Sequence, residues 1–342
     1  MRTLAVSLVA FLPLAATAEC EMLRDQRVQA SPHVHVFEAA EGTTAVVNGN
    51  VVAVIGQDAI LIVDTGQIPS VAKRIAADIR ALSGAPVRYI VNTHWHGDHL
   101  LGNATFKEAF PEARIVAHSH TIEQGPKFYA DYAAKARKSL PIVVNDMKKQ
   151  REATLSADTK LWITKSLECV DAILPEVEGT HYLAPDLPMD TEMKIDLGGV
   201  SAVVPHIGAG NTPGDLIVWV EGDRLVATGD MVVSPVPYAI GSAIEPWTRT
   251  LGELRRLGAA VVVPGHGKVM RDDTYVRDVE ALLVTTRSQL LALHARGVAR
   301  DDAASQFDVA AFRSRYLTTP MRREAFDQFF VKAAIAQIWP KP

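Results

Sequence analysis

Between residues 94 and 99 the chain reads His-Trp-His-Gly-Asp-His, which puts three imidazoles and a carboxylate within six positions. So dense a set of polar groups has no packing use, because such side chains enter an interior only with partners. The fold must therefore converge on this segment. The residues before it, VRYIVNT, are β-branched and aromatic in the manner of a strand. That places the histidines on a loop at a strand's carboxyl end, where α/β proteins gather their chemistry. Imidazole nitrogen and carboxylate oxygen bind zinc at roughly 2.0 to 2.2 Å, and a catalytic site leaves one position open for water. His94, His96, Asp98 and His99 are thus candidate metal ligands.

The flanking pattern is that of an α/β protein. TTAVVNGNVVAVIGQDAILIVDTG reads as short strands separated by Asn-Gly and Gly-Gln turns. In SVAKRIAADIRALSG, Val71, Ile75, Ile79 and Leu82 recur at helical spacing, which predicts an amphipathic surface helix before Pro86. A helical region runs from Ser119 to about Leu174, interrupted at Pro126 and Pro141 and without a chemical motif. Strands return in MKIDLGGVSAVVPHIGAG and DLIVWVEGDRLVATGD, the latter a hairpin through Glu221-Gly222-Asp223. A helix around Trp247 to Leu257 leads to the strand-like AAVVVPGHG, and from Asp273 the chain is helical with a break near Pro320. No repeat or low-complexity tract interrupts it.

The 342 residues are 48% hydrophobic and 22% charged, which is the balance of a globular chain. A net charge of −4 gives no strong pull on nucleic acid or anionic lipid, so the expected partner is a small-molecule substrate. Residues 1–18 have the secretory signal layout: Arg2, an apolar stretch from Leu4 to Ala16, and Ala-Thr-Ala before Glu19. The apolar stretch is shorter than the ~20 residues of a membrane span. Cys20 follows Thr17, Ala18 and Glu19, which is not a lipobox, so no membrane anchor is expected and the mature chain is periplasmic or secreted. Cys20 and Cys169 are the two cysteines; a single disulfide and two unpaired thiols both remain open. The oligomeric state is open as well.

The chain resembles the metallo-β-lactamase superfamily, whose H-x-H-x-D-H signature matches His94, His96, Asp98 and His99. Further blocks agree in order: VDTG at Val63–Gly66, NTPGD at Asn211–Asp215, TGD at Thr228–Asp230 and PGHG at Pro264–Gly267. The resemblance spans about residues 30 to 270. It implies an α/β fold, an αββα sandwich, in a domain of residues 19–272 that includes the helical insertion at about 119–174. Residues 273–342 would be a helical C-terminal extension. It also implies a two-zinc centre: His94 and His96 on the first metal, Asp98, His99 and His266 on the second, and Asp230 bridging. Asp64 would orient a ligand histidine.

One block departs from the family. Asn211 stands where the family has a histidine, and an amide oxygen is a poor zinc donor. Three arrangements are compatible: Asn211 coordinates weakly, His206 substitutes, or the first position fills poorly. One or two Zn2+ per chain are expected, the second position holding the stronger site. The implied function is an exported zinc-dependent hydrolase using a metal-bound hydroxide, oriented by Asp98, on an amide, lactone, thioester or other ester, including phosphate and sulfate esters. β-Lactamase-like and lactonase-like activities are the leading forms. The alternative is a non-catalytic zinc-binding or sensing protein, or a periplasmic accessory protein. His33, His35, His118 and His120 read as surface or hydrogen-bonded residues, and His181 and His294 as isolated. Trp95 and Tyr238 either line the cleft or pack beside it.

Overall fold

Along the four apolar residues Ile60–Val63 the side chains divide by parity. Leu61 and Val63 enter one core cluster, whereas Ile60 and Ile62 enter another. The same split recurs at Val51–Val54 and, in a second sheet, at Val261–Val263, where Val262 faces away from its two neighbours. A strand that is apolar on both faces has to be covered on both sides. Two such sheets stacked face to face, each with helices on its outer side, satisfy that requirement.

The computed structural model describes Cys20, residues 23–41, Thr44, residues 47–177 and residues 179–339. The expected signal segment, residues 1–18, lies outside the described residues. The first sheet runs β1 (Asp25–Ser31), β2 (Val34–Ala39), β3 (Val51–Ile55), β4 (Ile60–Val63), β5 (Val87–Val91), β6 (Arg114–Ala117) and β7 (Leu187–Pro188), in that spatial order. Neighbours are antiparallel as far as β4 and parallel from β4 to β7. The second sheet contains β8 (Glu192–Asp196), β9 (Ser201–Pro205), β10 (Val218–Val220), β11 (Leu225–Ala227) and β12 (Val261–Val263), with β12 beside β11 in parallel. The expected hairpin turn at Glu221–Asp223 joins β10 to β11.

Outside the first sheet lie α1 (Pro69–Leu82), α2 (Gly97–Leu100), α3 (Asn103–Ala109), α4 (Ser119–Tyr129), α5 (Tyr132–Ala153) and α6 (Ala157–Val177). Helix α1 buries Val71, Ile75 and Ile79, as its spacing predicts. Pro126 and Pro141 do not break the insertion. Each sits inside a helix, α4 or α5, as Pro175 does in α6. A proline removes one backbone bond and crowds the preceding turn, but the helix resumes when the turns on either side hold. His118 directly follows β6 and caps α4, and His120 lies in that helix's first turn, so the two do not alternate along a strand.

Outside the second sheet lie α7 (Ile244–Arg256), α8 (Thr274–Ala295), α9 (Arg300–Gln306), α10 (Arg313–Tyr316), α11 (Pro320–Phe326) and α12 (Lys332–Ile338). The break expected near Pro320 is the start of α11, where a proline costs nothing. Trp247, Leu282, Tyr316, Phe326 and Phe330 share one buried cluster with Ile217, Val226 and Val262 of the second sheet and its approach. The architecture is the expected αββα sandwich, and the C-terminal helices supply much of its fourth layer.

Cys20 and Cys169 form a disulfide, with Cα atoms 4.7 Å apart and a sequence separation of 149. Both are buried in the cluster under α1 and α6. Closing so long a loop stabilises mainly by restricting the unfolded chain, by about 5 kcal/mol at this length. We expect the double variant Cys20→Ser/Cys169→Ser to lower the thermal midpoint by several degrees, measured by calorimetry. Thiol titration of unreduced, denatured wild type should give no free cysteine.

Candidate metal centre

The parallel strands β4 and β5 end side by side, and the two loops that leave them are joined by Asp64. Its backbone has φ 58°, an uncommon conformation for a residue with a side chain. From there the buried carboxylate accepts the Thr93 amide N–H at Oδ1 (2.8 Å) and the Thr93 hydroxyl at Oδ2 (2.8 Å). It also takes His99 Nδ1–H at 2.8 Å. Because the Thr93 hydroxyl donates to Asp64, its oxygen is free to accept His94 Nδ1–H at 3.0 Å. One carboxylate thereby fixes the tautomer of two histidines. Both Nε2 lone pairs are turned inward.

The inward atoms meet Asp98 of their own segment and side chains from two other loops. Asp230 lies in the turn Gly229–Met231 after β11, and His266 follows β12. His99 Nε2 is 3.2 Å from His266 Nε2, His266 Nε2 is 2.9 Å from Asp98 Oδ2, and His99 Nε2 is 3.4 Å from Asp98 Oδ2. Three ligand atoms on a tetrahedral zinc with bonds of about 2.0 to 2.1 Å would stand roughly 3.3 Å apart. Asp230 Oδ1 faces this group, 3.1 Å from His99 Nε2, while its Oδ2 is 3.6 Å from His94 Nε2. His94, His96 and Asp230 form one set of potential ligands, and Asp98, His99 and His266 the other.

Several of these atoms lack the partners that burial demands. His94 Nε2 and Asp230 Oδ1 are buried without an aligned hydrogen bond, a costly condition that a bound cation relieves. The donor set, imidazoles with carboxylates, suits zinc. The backbone is built for this closeness. At Gly265 a Cβ would stand 2.1 Å from Asp230 Oδ1, and at Gly229 (φ 52°) it would stand 2.4 Å from Thr93 Oγ1.

Asn211 sits in the loop before β10, shaped by Asp215. That carboxylate accepts Gly210 N–H, Thr212 N–H and the Thr212 hydroxyl, and burial pushes it up to about 7. The Asn211 amide donates Nδ2–H to the Tyr238 carbonyl at 3.1 Å, which leaves Oδ1 as a buried acceptor without a partner. His206 does not join either ligand set. It follows β9, gives Nδ1–H to the Asp215 carbonyl at 2.8 Å, and lies 4.6 Å from the His118 ring. Of the remaining histidines, His33 pairs with Asp223 and His294 packs on Trp339.

A cavity of about 390 Å³ opens onto the potential ligands His96, Asp98, Asp230 and His266, within the range of small-molecule sites. Leu140, Val143 and Met147 of α5, Val170 and Ile173 of α6, and Phe329 near the C-terminus give it an apolar wall. Among the described residues no Lys or Arg lines it. Tyr238 lines the cavity, whereas Trp95 stacks on Phe128 at 4.4 Å. Tyr129 and Tyr132 line it too, and sequence reasoning missed both, since tyrosines on a variable helix carry no signal of their own. Burial, then the nearby Asp98 carboxylate, raises the pKa of Tyr129, Tyr132 and Tyr238, so all three hydroxyls stay protonated.

The sequence profile of the metallo-beta-lactamase superfamily matches residues 44–266, which is more than half of the chain. The chain belongs to that superfamily. It is also 22% identical, over 305 residues, to a linear primary-alkylsulfatase from Pseudomonas sp., covering 82% of this chain and 53% of that protein. The chain thus spans about half the length of this curated relative. Among solved structures, a metallo-beta-lactamase from Pontibacter korlensis has a TM-score of 0.54 at 18% identity, covering 76% of this chain and 99% of that one. A double mutant of the sec-alkyl sulfatase PisA1 has a TM-score of 0.62 at 14% identity, covering 92% and 50%. This superfamily member gathers two sets of potential metal ligands at one site.

In the metal-free protein, burial opposes charge on His266, but Asp230 and Asp98 outweigh it and hold the imidazole up to about 9; His99 is raised in the same way. A metal must displace these protons. The apparent affinity should therefore rise with pH through neutrality and still be rising as His266 loses its proton near pH 9. Titration with a fluorescent zinc chelator between pH 6 and 10 measures this. A flat profile from pH 6 upward would remove these histidines from the ligand set.

Proposed function

We propose that this chain is an exported zinc-dependent hydrolase acting on an ester or amide that carries an apolar arm. The observation that supports it most is the spacing of His99, His266 and Asp98, at 2.9 to 3.4 Å, beside an Asp230 that offers one oxygen to each ligand set. In this reading His94, His96 and Asp230 hold one zinc, and Asp98, His99 and His266 hold the other. When bound, zinc lowers the pKa of a water to about 7 and polarises the substrate's oxygen. Asp98 borders the cavity and accepts a hydrogen bond from the attacking water, which orients it toward the substrate. Tyr129 and Tyr238, protonated beside that carboxylate, donate to the substrate's oxygens. The apolar wall from α5 and α6 holds the arm and excludes water.

The signal layout of residues 1–18 and the disulfide support export, since disulfides persist in oxidising compartments. No helix among the described residues is long and apolar enough to cross a membrane. The alkylsulfatase relative favours a sulfate ester as substrate, and the absence of Lys and Arg from the described lining favours an uncharged ester.

A panel with one eight-carbon arm separates these: octyl sulfate, p-nitrophenyl octanoate, an octanoyl lactone and an octanoyl amide, assayed on zinc-loaded protein. We expect turnover of at least one. Asp98→Ala should lower kcat by on the order of 10² to 10⁴ with an unchanged circular dichroism spectrum. No turnover across the panel, or full activity in the variant, would end the proposal.

Asn211 supports unequal metal positions, the site of His94 and His96 being the weaker. A lost ligand should cost at least the roughly 10 to 100-fold that supporting residues cost. Dialysed at limiting zinc, wild type should hold nearer one zinc per chain by atomic emission, and Asn211→His should raise this toward two. Two tightly held zincs in wild type would contradict it.

A further inference from the structure

Helix α5 carries six basic residues (Lys135, Arg137, Lys138, Lys148, Lys149, Arg151) against two acidic ones (Asp146, Glu152), in a chain whose net charge is −4. The overall acidity conceals a cationic element. One face of α5 brings Tyr132, Leu140, Val143 and Met147 to the cavity wall. Turned roughly 140° away around the helix, at 3.6 residues per turn, lie Lys135, Lys138, Ile142, Asn145 and Lys149, all exposed. Ile142 stands at the centre of this stripe with 64% of its surface in water, and Val143 is 46% exposed although it lines the cavity. The cationic stripe thus looks outward, away from the cavity, and none of its residues lines the cavity.

Single exposed apolar residues need no explanation, but these are concentrated. Of the nine exposed large hydrophobic residues among the described ones, six lie on α4–α6 or the turn between α5 and α6: Phe128, Ile142, Val143, Leu155, Leu161 and Leu174. Lys135 Nζ donates to the carbonyls of Lys127 and Phe128, which leaves its charge uncompensated by those partners, and Lys149 shares only the exposed Asp146 at 3.4 Å.

We propose that α5 docks the protein on an anionic lipid surface through this outward stripe. A nucleic acid or an acidic peptide would meet the lysines but leave Ile142 and its apolar neighbours in water. A lipid interface accepts both, with lysines at the headgroups and isoleucine among the acyl chains. The contact is peripheral and salt-sensitive, and it is independent of the metals and of turnover.

The test is co-sedimentation of the full mature chain with vesicles of phosphatidylcholine alone or with one-third phosphatidylglycerol. We expect binding to the anionic vesicles only, released in 1 M salt, where screening acts within about 3 Å. Lys135→Gln/Lys138→Gln/Lys149→Gln should weaken binding on the order of a hundredfold, at ~1 kcal/mol per charge. Ile142→Asn should weaken it separately, and Lys73→Gln on α1 should leave it unchanged. If circular dichroism shows the triple variant misfolded, Ile142→Asn and Lys138→Gln carry the test alone. Equal binding to both vesicles, no binding, or variants that bind as wild type would overturn the proposal. So would a dimer dissolved by the triple variant in the absence of vesicle binding, which would assign the stripe to a second copy.

Discussion

The grip of Asp64 on Thr93 and His99 is the contact on which the rest of the site depends. It joins two strand ends and fixes two histidine tautomers, and it does so from a backbone conformation that costs an L-residue roughly 1 to 2 kcal/mol. Hydrogen bonds to a charged group, at about 1.5 to 3 kcal/mol each, offset that strain. Burial pushes the carboxyl up, and His99 and Thr93 pull it back. Had the carboxylate been set on a flexible side chain in solvent, neither imidazole would present a defined lone pair. The glycines at 229 and 265 serve the same end from the opposite sheet, letting Asp230 come close enough to stand between the two ligand sets.

Much of this site was legible because its chemistry is local in sequence. Three histidines and an aspartate in six residues announce themselves, and the alternation in Ile60–Val63 and Val261–Val263 gives the sheets. Where contacts span long separations, the pattern says little. Phe329 reaches the cavity from more than 200 positions beyond the metal loop, and nothing in its neighbourhood marks it. Pro126 and Pro141 read as breaks because propensity is a local quantity, whereas α5, which contains Pro141, is held by its packing on α6. The free choice between a disulfide and two thiols was settled by the third dimension alone.

The insertion and the C-terminal helices divide the labour unequally. The C-terminal helices bury Tyr316, Phe326 and Phe330 and complete the outer layer of the second sheet. Helix α5 buries only Ala136 fully. Its place is kept by contact with α6 and by the small cluster of Trp162, Ile163 and Leu167 with Val144, Met147, Met321 and Phe329. Elements with so few buried apolar contacts open at low free energy, so the cavity has one firm wall from the sandwich and one yielding wall from α5.

The disulfide reaches into that second wall, because Cys169 lies on α6 next to Val170, which lines the cavity. The ring it closes, from Cys20 to Cys169, contains β1 to β6, the metal loop and the whole of α5. A protease that cuts the exposed end of α5 near Leu155 therefore releases nothing: the two pieces stay covalently joined, with His94 to His99 on one and Asp230 and His266 on the other. Damage of this kind would be visible on a gel only after reduction, and a nicked molecule would keep both sets of potential ligands together.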